Sequence, residues 1–426
     1  MPPLLESPAS WHYAGMQRNM LGAYGPWAAA RLGEGPGALS FRNPQWSDLE
    51  EWREKARTAL TGLLHGPAGA RSEDVRVHER FTRDDIEIEE LSWQLPYGPR
   101  TQAYFLRPRG ATKRLPGVLA LHDHGGDKYF GKRKIVRVGS SVHPVIERHQ
   151  KEYYSGLGWA NELARRGFAV LVHDVFPFES RRILASDIPP LVVQRLMSPP
   201  DAIRELTPED LAGSGPDVDR DVAPGEPEGE IASYNAFAAQ HESIIAKSLF
   251  SAGLTWPGVT LAEDRAALDY LASRPDVDPE RLGCGGLSGG GLRTAFLAGL
   301  DGRIRAAVSA GFMSTWRDFV LNTSYTHTWM IYVPGLAGLL DFPEVLGLRA
   351  PLPTLVMATT QDPLFTHEET RRAVRILEET YDKAGAPGHL AVSIHSGPHK
   401  FDEPMQAEAF AWMEKWLGGS VYTPAR

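Results

Sequence analysis

The rhythm of apolar and polar positions changes twice along the chain. Up to about residue 70 it is helical: in SDLEEWREKARTALTGLL apolar residues recur every three or four positions, and Ser47 with Glu50 reads as a capping box. Between about 74 and 110 the stretches IEIEELSWQL and TQAYFLRP partly alternate, as half-buried antiparallel strands do. Short apolar runs then take turns with amphipathic segments. GVLALHD (117–123), FAVLVHD (168–174), RLGCGGLS (281–288), IRAAVSAGF (304–312), TLVMATT (354–360) and LAVSIHS (390–396) read as buried strands. WANELARRG (159–167), TLAEDRAALDYLAS (260–273), GLRTAFLAGL (291–300), HEETRRAVRILEETYDKAG (367–385) and PMQAEAFAWMEKWLGG (404–419) read as helices. This alternation predicts an α/β fold with a mainly parallel sheet covered by helices on both faces.

Two stretches break the pattern. Residues 185–235 are rich in Pro, Gly and acid, and between 201 and 230 ten acids face two bases. Such a segment reads as a solvated loop or as a cap over the carboxyl edge of the sheet, shaping an acyl or alcohol pocket there. Residues 313–350 are irregular and aromatic-rich. The expected organisation is a helical N-terminal extension over 1–73 and an α/β domain over 74–419. A cap-like insertion at 185–250 interrupts that domain, and a short tail follows over 420–426.

Composition narrows the partners. A net charge of −8 over 426 residues argues against nucleic acid, which needs a basic face. No apolar run approaches membrane-span length, and no basic-then-apolar leader opens the sequence. The single cysteine, Cys284, rules out an internal disulfide and reads as a small core residue. A cytoplasmic protein acting on a small molecule is expected, with assembly into a homo-oligomer left open.

The chemistry centres on LGCGGLSGGGLRTAF. Gly286-Leu287-Ser288-Gly289-Gly290 fits G-x-S-x-G between a predicted strand and a predicted helix, the setting of a nucleophile elbow. The Gly289 N–H would point to where an oxyanion forms. A serine nucleophile needs a base, and the base an orienting acid. Asp362 follows the strand TLVMATT and His399 follows LAVSIHS, so both belong at the carboxyl edge beside Ser288. His395, the rival base, lies inside its strand. The loop HDHGGD after GVLAL offers backbone donors at Gly125, Gly126 or Asp127 for the second oxyanion contact. His122-x-His124 invites a metal reading, but no spaced third ligand stands nearby, so no metal or cofactor is assigned. The five basic residues from Lys128 to Arg137 read as a solvated loop, and Asp174 and Glu179 as acids that fix loops and arginines.

With those residues in view, the chain resembles the α/β-hydrolase superfamily over about residues 80 to 419. The segments DPERLGCGGLSGGGLRTAFLAGLDGRIRAAVSAG, LHDHGG, TTQDPLF and GPHKF are similar to those of dienelactone-hydrolase-like and acetyl-xylan-esterase-like enzymes. The resemblance implies a Ser288–Asp362–His399 triad and carboxylic ester hydrolysis through an acyl-enzyme. A lactone hydrolase or a peptidase or amidase of the same fold is the alternative. The serine departs from the cysteine nucleophile of dienelactone hydrolases. The N-terminal extension and the long insertion depart from the compact members.

Overall fold

The computed structural model describes residues 18–33, 35–197 and 225–418. Most of the acid-rich stretch between 201 and 230 therefore lies outside the described residues. Nine strands form one sheet in the order β1-β2-β3-β5-β4-β6-β7-β8-β9. They are β1 Glu73–Arg83, β2 Ile86–Gln94, β3 Thr101–Pro108, β4 Leu115–Leu121, β5 Ala169–His173, β6 Val277–Leu287, β7 Ile304–Ala310, β8 Thr354–Thr359 and β9 Leu390–His395. The first three pair antiparallel, and β3 joins β5 antiparallel. Every pair from β5 to β9 is parallel. Strand β1 is mostly exposed, so its sequence lacks the alternation that marks β2 and β3.

Each face of the sheet carries its own core, because successive side chains of a strand point to opposite sides. In β4, Leu119 and Leu121 enter the core built with the helices Leu49–Leu64, Trp256–Ser273 and Gly289–Leu300. Val118 and Ala120 enter the other, with Trp159–Arg165 and Glu403–Leu417. Trp52, Ala56, Leu60 and Leu64 of the N-terminal helix are all buried in the first core. That helix is capped one residue later than the sequence suggested: Asp48, not Ser47, accepts the Glu51 N–H at 2.7 Å. Among the described residues no helix is long and apolar enough to cross a membrane.

The insertion contains a feature the periodicity did not announce, a helix over Glu228–Ser251. Its apolar residues are spread around the axis rather than gathered in one stripe. Ile231, Tyr234, Phe237 and Ala238 pack with Tyr129 and Phe130 in a third, smaller core over the 122–137 loop.

Candidate active site

Ser288 stands at the end of β6 and is the N-cap of the Gly289–Leu300 helix. Its backbone is at φ 56°, ψ −118°, a conformation a non-glycine residue adopts only where the surroundings enforce it. The enforcement comes from strand contacts. The Ser288 N–H donates to Ala310 O at 2.8 Å, and the flanking glycines lie hard against β4. A Cβ on Gly286 would sit 2.1 Å from Leu121 O, and one on Gly290 2.2 Å from the same atom. The glycines around the serine are therefore a packing requirement, which is the condition the elbow motif encodes.

Asp362 and His399 come from the turns after β8 and β9. Asp362 Oδ2 accepts from His399 Nδ1 at 2.6 Å, and its Oδ1 accepts the Leu364 N–H at 3.0 Å. The His399 ring lies against Gly311, where a Cβ would come within 2.9 Å of its Cε1. His399 Nε2 is buried and has no hydrogen-bond partner among the described residues. Ser288, Gly289, His399, Gly125 and Gly126 line one cavity of about 340 Å³. His395 sits elsewhere, within β9, with Nε2 2.9 Å from Glu408.

The loop after β4 closes one side of this cavity. A Cβ on Gly289 would touch His124 N at 2.8 Å, so the elbow and the loop are in contact. The Gly126 N–H donates to His124 Nδ1 at 3.1 Å and the Asp127 N–H to His124 O at 3.2 Å. The Gly125 N–H has no such partner among the described residues. Asp123 is buried and accepts from His149 Nε2 at 3.1 Å and from the Tyr154 hydroxyl. Burial alone would raise its pKa, but His149 and Lys134 outweigh burial and hold the carboxyl well below its ordinary range. Lys134 Nζ donates to the carbonyls of Asp123 and His124 at 3.1 and 2.8 Å.

The basic run is not the solvated loop its composition suggested. Lys128, Lys132 and Lys134 are all buried, and carboxylates distant in sequence compensate the first two. Lys132 Nζ lies 2.9 Å from Asp174 and 2.7 Å from Glu179, and Lys128 Nζ lies 2.6 Å from Glu242. Burial and the neighbouring Glu179 charge raise the Asp174 pKa, while Lys132 and Arg133 hold Glu179 ionised against its own burial.

The two histidines of the HDH stretch go separate ways. His122 Nδ1 donates to Asp123 O, and burial drives its pKa well below that of an ordinary histidine. His124 turns to Glu242. Among the described residues no three His, Cys, Asp or Glu side chains gather as metal ligands. Cys284 is buried in β6, its thiol pushed up to about 12 by burial.

The aromatic-rich stretch adds Thr326, His327 and Thr328 to the lining of the cavity. His327 Nε2 donates to Leu364 O at 2.9 Å, and its ring packs on Phe319 and Phe365. Burial lowers its pKa to about 4, so it is neutral at ordinary pH. Tyr153 completes the lining, its ring 6.1 Å from that of His399. No motif pointed to His327, Tyr153 or Glu242, because each is brought there by the fold and not by a local pattern.

A serine elbow on a mostly parallel sheet, with an acid and a histidine at the ends of the two following strands but one, defines the α/β-hydrolase fold, and this chain has it. The model of the prolyl oligopeptidase family matches residues 251–420, the part that carries the serine, the acid and the histidine. YtaP of Bacillus subtilis (strain 168), which carries a provisional description as a hydrolase, is 25% identical over 366 residues, 86% of this chain and 99% of YtaP. A Bacteroides fragilis NCTC 9343 structure, provisionally described as an acetyl xylan esterase, superposes with a TM-score of 0.62 at 15% identity. That match covers 90% of this chain and 84% of that one. A glucuronoyl esterase from Solibacter usitatus gives 0.52 at 14% identity, over 87% and 93%.

Proposed function

We propose that the protein is a carboxylic ester hydrolase that works through an acyl-enzyme on Ser288. One observation carries this reading: the elbow serine shares a cavity with His399, whose Nδ1 is held by Asp362 and whose Nε2 has no partner among the described residues. In the reaction, His399 Nε2 takes the Ser288 hydroxyl proton as the oxygen attacks the ester carbonyl. The same proton then goes to the departing alkoxide. Asp362, accepting from Nδ1, fixes the tautomer that leaves Nε2 basic and stabilises the imidazolium. The Gly289 N–H, at a helix start, stabilises the tetrahedral oxyanion. Of the three loop amides that could join it, those of Gly126 and Asp127 are engaged by His124, which leaves Gly125 as the second donor. Water, activated by His399, then releases the acid.

Compact acyl or alcohol groups suit a cavity of about 340 Å³, near the lower end for small-molecule sites. The esterases among the fold neighbours support ester over amide chemistry. The test is a panel of p-nitrophenyl acetate and butyrate, lactones and anilides, before and after exhaustive chelation. Ester or lactone turnover that survives chelation is expected. Turnover confined to anilides would move the protein to the amide-cleaving class. Loss on chelation with recovery on zinc would overturn the metal-free mechanism.

A further inference from the structure

The inserted helix Glu228–Ser251 touches the loop beside Ser288 at two points. Asn235 and Glu242 are seven residues apart, two helical turns, and so share one face. Asn235 Oδ1 accepts the N–H groups of Lys128 and Tyr129 at 2.9 and 3.0 Å, and its Nδ2 donates to Asp127 Oδ1 at 2.9 Å. Glu242 Oε1 accepts from His124 Nε2 at 3.0 Å and pairs with Lys128 Nζ at 2.6 Å. Its Oε2 accepts the Trp329 N–H at 3.4 Å, next to the wall formed by 326–328. One carboxylate thus bonds both to the loop carrying Gly125 and to the residue that follows the 326–328 lining.

We propose that this helix is a working part of the active site, with Glu242 as a positioning residue that holds the 124–126 loop in the shape its oxyanion amide requires. The proposal rests on the hydrolase reading above. The chain of contacts is specific. The Gly126 N–H donates to His124 Nδ1, so the ring proton must sit on Nε2, where it meets Glu242. Burial, with Lys128 nearby, lowers the His124 pKa and keeps the ring in that neutral form. Without the carboxylate the ring loses the partner that fixes its orientation. Gly126 then loses its acceptor, and the Gly125 amide is no longer held toward the elbow. Because an oxyanion exists only in the transition state, the loss should fall on kcat and leave ground-state binding nearly alone.

The experiment is Glu242→Leu, which leaves no acceptor for the His124 Nε2–H, assayed on p-nitrophenyl butyrate. A fall in kcat of about tenfold to a hundredfold is expected, less than the roughly 10² to 10³ of deleting an oxyanion donor outright. KM should stay within about threefold. Affinity for a trifluoromethyl ketone, which forms a tetrahedral adduct on the serine, should fall by the same factor as kcat/KM. The single change leaves Lys128 buried without its partner, so E242L/K128M is made in parallel. It should recover the melting temperature and keep the kcat deficit. Wild-type kcat in the double variant, or a raised KM at unchanged kcat in both, would overturn the proposal. A wild-type protein inert to every ester and amide would instead take down the hydrolase reading, and this inference with it.

Discussion

The two halves of the site are held in different ways. Ser288, Asp362 and His399 hang from the carboxyl ends of β6, β8 and β9, and each is fixed within a few residues of its own strand. The facing half, from His122 to Arg137, has no strand beneath it. Ion pairs and hydrogen bonds to Asp174, Glu179, Asn235 and Glu242, all far downstream, shape it. The first half is local chemistry on a sheet. The second is a loop stapled by buried charge, and buried pairs depend steeply on keeping both partners.

The largest effect that tests this contrast lies in the strand-borne half. Ser288→Ala and His399→Ala should each lower kcat by about 10⁴ to 10⁶, because such residues act as a unit. His395→Ala should leave turnover near wild type, since that ring bonds to Glu408 away from the cavity. Labelling of Ser288 by a fluorophosphonate, followed by peptide mapping, checks the assignment. A dead His395→Ala beside an active His399→Ala, at matched folding, would reverse the choice of base.

In the stapled half the first measurable effect is on stability. Lys132→Met leaves Asp174 and Glu179 without their shared ammonium, and a broken buried pair costs about 3–5 kcal/mol. Chemical denaturation should show that loss, with turnover per folded molecule changing far less. A harmless substitution would mean the basic run behaves as the solvated loop its composition suggested.

A smaller effect should appear in acid. Burial would raise the Glu242 pKa, but His124 and Lys128 outweigh it and set the value at about 2. The folded-state pKa is thus below the unfolded one, about 4.3 for a free glutamate. Its contribution is complete above that value and is lost as the pH falls toward 2. The span amounts to about 3 kcal/mol. Glu242→Gln should therefore flatten the stability profile between about pH 4.5 and 2 relative to wild type. Parallel acid limbs for the two proteins would show that the carboxylate is not held by the His124 hydrogen bond and the Lys128 charge.

The same contrast explains what was legible in the sequence. The strand–turn–helix rhythm around Ser288 is a local pattern, and so is the placing of Asp362 and His399 just past apolar runs, so the fold and the position of these three residues at one edge of the sheet could be read directly. The capping box slipped by one residue because Asp48 and Ser47 are equally good caps, and helix register in three dimensions chose between them. The lysines were misread because burial of a charge depends on a partner that no local window contains. Composition around Lys128 shows only a hydrophilic run, while Glu242 sits on a helix with no apolar stripe to announce it. His327 and Tyr153 were invisible for the same reason.

The outermost position of β9 has a consequence for how such an enzyme would fail on warming. β8 is buried along its whole length, whereas β9 has only one neighbouring strand and is partly open to solvent, with Ile394 43% exposed. The turn bearing His399 is anchored beyond it by buried Phe401, whose N–H bonds to Tyr153 O at 2.7 Å. Opening that edge requires breaking one ladder and one anchor, far less than melting the sheet. With His399 as the base, inactivation would then begin as reversible fraying of a single strand, and the upper working temperature would be set by this margin of the sheet while the rest of the domain stays folded.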